Sequence, residues 1–74
     1  MKKNINLFLV VLGGKAPMAN IELHDVRWVV GVRIEDTFDS LRKSWFGSNE
    51  GLHIDSYKII KSIDGYKINL KNVE

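Results

Sequence analysis

Residues 5–14 read Ile-Asn-Leu-Phe-Leu-Val-Val-Leu-Gly-Gly, an almost unbroken apolar run stopped by a glycine pair. In an extended chain, alternate side chains point to opposite faces. Ile5, Leu7, Leu9 and Val11 would take one face, and Phe8, Val10 and Leu12 the other, beside Asn6. Apolar side chains on both faces fit a strand covered on both sides and not an edge. This run is therefore expected to be the central strand of a small sheet. Gly13-Gly14 ends it and Lys15-Ala16-Pro17 makes a loop.

The same stretch imitates a secretory signal, because Met1-Lys2-Lys3 precedes the run and Ala16 and Ala19 follow it. Two features oppose that reading. Asn6 interrupts the run, and the alanines are three apart where a cleavage site wants two. Removing the segment would also leave too little chain for a core. The expectation is a cytoplasmic protein. No apolar run approaches the ~20 residues of a membrane-spanning helix.

Residues 21–32 form a second extended segment, rich in Ile21, Val26, Trp28, Val29, Val30 and Val32. Its apolar positions change parity part-way, so a bulge is expected near His24-Asp25. Residues 34–46 carry the helical signal. Ile34, Phe38, Leu41 and Trp45 fall in one stripe, with Glu35 and Asp36 in the first turn and Arg42 and Lys43 near the last. Phe38→Asp is expected to be among the most damaging single changes, because it buries a charge in that stripe, and Gly47 is expected as the helix C-terminal cap. Both Trp28 and Trp45 are expected in the core.

Residues 52–63 and 66–70 flank Asp64-Gly65, a dipeptide suited to a type I′ hairpin turn. That turn sets Ile63 opposite Tyr66, Lys61 opposite Ile68 and Ile59 opposite Leu70. One face would carry Tyr57, Ile59, Ile63, Tyr66, Ile68 and Leu70 inward, leaving Lys58 and Lys67 in water. The order is β-β-α-β-β. It makes one α+β domain over residues 1–74, a small mixed or antiparallel sheet with one helix on one face. A single helix covers one side only. A chain of 74 residues has little else to cover the second face. Self-association, most simply a homodimer, is therefore expected.

With those elements placed, the chain resembles a small, mainly bacterial family of uncharacterised domains of unknown function. The likeness rests on Leu7-Phe8-Leu9-Val10 running into Leu12-Gly13-Gly14, then Asn20-Ile21-Glu22, His24-Asp25-Val26, Trp45-Phe46, His53-Ile54-Asp55 and Asp64-Gly65-Tyr66. It covers nearly the whole chain in the same order. The resemblance implies no activity, cofactor or catalytic residue. It does imply that members often carry a second related unit after the first.

Chemistry-bearing residues gather in two places. Asn20, Glu22 and His24 are spaced by two and would share a face, and His53 and Asp55 are likewise spaced. Together with Asp25 these offer imidazole and carboxylate groups for a divalent metal or an acid–base pair. Their plainer reading is local hydrogen bonding at strand ends. Gly13-Gly14-Lys15 is the second place. Backbone amides freed by glycine can approach a phosphate, but no Walker spacing and no following helix accompany them.

The chain has no cysteine, so thiolate metal sites and disulfides are excluded. A net charge of +2 is far below the footprint of a dedicated nucleic-acid binder. The leading reading is a self-associating structural or protein-interaction module without catalysis or a cofactor of its own. The alternative is a metal- or acid–base-dependent enzyme, or a small-ligand binder, using the His24/Asp25 and His53/Asp55 pairs.

Overall fold

The computed structural model describes residues 4–73. The Met1-Lys2-Lys3 start of the signal-like stretch lies outside the described residues. Three strands form one antiparallel sheet in the order β2-β1-β3: β1 (Asn6–Gly14), β2 (Leu23–Gly31) and β3 (His53–Ile60). The apolar run is thus the central strand. A short 3₁₀ turn (Ile34–Thr37) leads into helix α1 (Phe38–Ser44) between β2 and β3. Strands lie on both sides of one helix in the sequence, which makes the chain α+β. No helix among the described residues is long and apolar enough to cross a membrane.

The two faces of β1 have different fates. Phe8, Val10 and Leu12 are fully buried and form the core with Leu41 and Trp45. Leu7, Leu9 and Val11 point the other way and stay half-buried. Cross-strand pairing extends that second face to Val30, Trp28 and Val26 on β2, and to Ile60, Lys58 and Ser56 on β3. Trp28 therefore lies on the open face, 57% exposed, and not in the core. Trp45 is buried as expected.

Several sequence-based expectations are corrected. The bulge is in β3, not near His24-Asp25: β2 pairs with β1 without interruption, while the β1–β3 register slips between Val11 and Leu12. The mixed parity of β2 has another cause. Its core-facing side carries Asp25 and Arg27, which pair at 3.3 Å, and Arg27 also donates to the Ser44 carbonyl at the helix end at 3.2 Å. The helix is only seven residues, because Trp45 already adopts an extended backbone. Phe38 is half-buried and carries the Arg42 guanidinium 4.6 Å above its ring, whereas Leu41 is the deepest residue of the stripe.

Gly47 does not cap the helix. It is needed because a Cβ there would collide with the Lys15 carbonyl oxygen. That approach is fastened by Ser48, whose N–H donates to the same carbonyl at 2.8 Å, and by the Trp45 indole N–H donating to the Ser48 carbonyl at 3.0 Å.

The hairpin turn forms as the sequence suggests. Asp64 and Gly65 both have positive φ, 53° and 84°, and Ile63 faces Tyr66. The Ile68 N–H donates to the Lys61 carbonyl at 2.9 Å, continuing that register. However, β3 breaks at Lys61. The hairpin is a separate pair, β4 (Ser62–Ile63) with β5 (Tyr66–Lys67). Its apolar side is not core: Ile63 is 46% and Tyr66 78% exposed.

Candidate functional site

The histidines stand on β2 and β3, which are not paired with each other but flank β1. In the sheet register Gly13 of β1 has His24 opposite on β2 and His53 opposite on β3. Both rings rise on the open face, with Gly13 between them and no side chain in the way. Glu22, two residues before His24, reaches the same place. Asp55 joins because of the bulge, which shifts the β1–β3 register beside it.

Four side chains thereby converge. Asp55 places Oδ1 2.8 Å from His53 Nε2 and Oδ2 2.9 Å from His24 Nε2. Glu22 Oε2 lies 3.2 Å from His24 Nε2 and 3.4 Å from His53 Nε2. A Cβ on Gly13 would stand 2.8 Å from Asp55 Oδ2 and 2.9 Å from His53 Nε2, and would collide with Glu22 Oε2. Gly13 is the floor of this cluster. The side chains are a third to a half exposed, so the cluster is open to solvent.

His53 is held from behind as well. Its Nδ1 is 2.8 Å from the Gly51 carbonyl, in a turn where Gly51 has φ 79°. The Gly51 carbonyl is the main reason that the His53 pKa lies above its ordinary 6.5. Partial desolvation opposes the rise, and the charges of Asp55 and Glu22 add to it.

The remaining candidates fall away from the cluster. Asp25 points to the helix side and pairs with Arg27. Gly14 faces the core, where a Cβ would stand 2.8 Å from Trp45 Cζ2. Lys15 is exposed and takes part through its carbonyl. Asn20 lies in the loop before β2 and makes no polar contact with the cluster among the described residues. The carboxylates above Gly13 also oppose the phosphate reading of Gly13-Gly14-Lys15, because an anion there would meet two negative groups. Sequence reasoning missed the floor role of Gly13 and the carbonyl of Gly51. A Gly-x-His spacing was the only signal for the latter.

A groove lies elsewhere among the described residues. About 530 Å³ opens between the C-terminal segment and the far end of the sheet, lined by Ile5, Leu7, Ile60, Lys67, Ile68 and Leu70 among others. No histidine or carboxylate lines it. Imidazole and carboxylate at hydrogen-bond distance, as at Gly13, can shuttle a proton or hold a divalent cation.

The family described as Domain of Unknown Function (DUF1543) matches residues 19–70. That span covers β2, the helix, β3 and the hairpin, and all four cluster residues. The chain belongs to this family. A solved structure, described as the crystal structure of a protein Il1583 from Idiomarina loihiensis, a bacterium, is similar at 53% identity with a TM-score of 0.85. The match covers 86% of this chain but only 44% of that one. No curated protein matches the chain. The DUF1543 assignment agrees with the resemblance and brings no activity with it.

Proposed function

We propose that this chain is a single interaction domain that self-associates through the sheet face its helix leaves open. One observation carries the proposal. Leu7, Leu9, Val11, Val26, Trp28 and Val30 form a continuous apolar patch on that face, with Val26, Trp28 and Val30 exposed by 59, 57 and 48%. A patch of this kind on a small domain marks an interaction surface.

Charge favours a second copy as the occupant. Lys58 stands beside Leu9 on the open face, while Glu22 and Asp55 lie at the Gly13 end. A two-fold axis between two stacked sheets, running across the strands, sets Lys58 of each copy toward Asp55 of the other. Such a contact is self-complementary, as a closed dimer requires. More than half of the Idiomarina loihiensis protein lies outside the match. In longer members of the family a neighbouring unit of the same chain would take the same seat. A cytoplasmic setting goes with this reading. It is supported by the place of the signal-like run in the fold, since cleaving it away would remove Phe8, Val10 and Leu12 from the core.

Light scattering coupled to size exclusion tests the proposal. Twice the 8.5 kDa chain mass is expected, falling to one chain mass in Trp28→Glu. A wild-type chain that stays at 8.5 kDa at the concentrations used for NMR refutes it.

A further inference from the structure

We propose that Glu22, His53 and Asp55 bind one divalent first-row transition-metal ion directly above Gly13, with His24 as the positioning residue that orients the two carboxylates. Every ligand comes from one chain, so the site needs no second copy to be complete.

Geometry is the first support. One ligand atom from each of Glu22, His53 and Asp55 lies within 4.8 Å of the others. His53 Nε2 is 2.8 Å from Asp55 Oδ1 and 3.4 Å from Glu22 Oε2. A metal about 2.0–2.2 Å from nitrogen and oxygen ligands holds neighbouring donors roughly 2.9–3.5 Å apart, so only small side-chain movements are needed. Two carboxylates and one imidazole leave further positions for water or another ligand. They suit zinc, manganese or nickel better than magnesium, which prefers oxygen alone.

Proton counting on His53 is the second support. Nδ1 faces the Gly51 carbonyl, which can only accept, so the ring hydrogen sits on Nδ1. In a neutral ring Nε2 then presents a lone pair, and it presents it to the carboxylates of Asp55 and Glu22. Those groups also only accept when ionised. In the protonated ring Nε2–H donates to Asp55 instead, so a metal ion at this place would take the position of that proton. A backbone carbonyl behind one ring nitrogen and a metal before the other is the usual way a protein fixes a metal-bound histidine.

The floor is the third support. Any side chain at position 13 would occupy the space against which the donors close. His24 contributes from the far side, 3.2 Å from Glu22 and 2.9 Å from Asp55. Its Nε2–H can donate to both carboxylates and turn their remaining lone pairs toward the ion.

The test uses untagged chain freed of metal with a chelator, titrated with zinc chloride by calorimetry and with manganese chloride by NMR. One zinc ion per chain is expected, with the His53 ring signals shifting on zinc and broadening on manganese. His53→Ala and Asp55→Asn are expected to lose at least ~10-fold in zinc affinity. His24→Ala is expected to lose less, but to remain weaker than wild type. These side chains are partly exposed, so the variants should keep dispersed spectra. Should one unfold, the wild-type titration decides alone. Unchanged His53 ring signals through two equivalents of zinc and of manganese overturn the proposal. So does a folded His53→Ala variant that binds zinc as tightly as wild type.

Discussion

Gly13 and Gly14 are neighbours in β1 that serve opposite faces of the sheet. Above Gly13 lie His53, Asp55 and Glu22; beneath Gly14 lies the indole of Trp45. Alternation along the strand assigns one glycine to the open face and one to the core, and a methyl group at either would meet something different.

Gly14→Ala therefore damages stability. Its Cβ would press on Cζ2 of the buried Trp45 ring at 2.8 Å, and the ring is fixed by its N–H bond to Ser48. Overpacking of this kind costs about 1–3 kcal/mol, and urea unfolding should show it. Gly13→Ala meets only the ends of partly exposed side chains. It is expected to cost less stability while shifting the ring signals of His24 and His53. Equal destabilisation by the two changes would contradict this division.

Within the helix, Leu41→Ala should exceed Phe38→Ala. Leu41 is 2% exposed in the core cluster, while Phe38 is half-buried under Arg42. Removing a buried leucine costs about 2–5 kcal/mol. That is a large share of what a domain of this size holds in reserve. Denaturant midpoints with unchanged slopes would verify the order.

His53 should titrate above 6.5 in metal-free protein, because the Gly51 carbonyl and then the Asp55 and Glu22 charges favour its protonated form. A raised folded pKa means that the contribution to stability is fully present below the unfolded value. It is lost as pH rises through the folded one. Asp55→Asn should move the NMR midpoint of the His53 ring downward. A midpoint that does not move would show that the Asp55 charge has no hold on His53.

Trp28→Glu is expected to leave the fold intact, since Trp28 is 57% exposed and outside the core cluster. An exposed substitution of this kind changes monomer stability by no more than about 0.5 kcal/mol. Thermal unfolding of the dilute variant measures it, and a large drop would mean that Trp28 packs within its own chain.

The sequence by itself determined the elements with strong periodic or turn signals. The two-sided apolar run made β1 central, and Asp64-Gly65 set the hairpin register, because strand alternation and turn dihedrals are local properties. It also named all four cluster residues, since a spacing of two puts Glu22 with His24 and His53 with Asp55. What it could not determine was their meeting. That depends on β2 and β3 flanking β1 at the same register position, and on a bulge whose place is decided by pairing between strands far apart in the chain. The same holds for Asp25, whose company is Arg27 and the helix end. Tertiary structure also decided which face of β1 the seven-residue helix would cover. Both faces are apolar, so only the packing of Leu41 and Trp45 breaks the tie, leaving Trp28 and the Gly13 cluster on the open side.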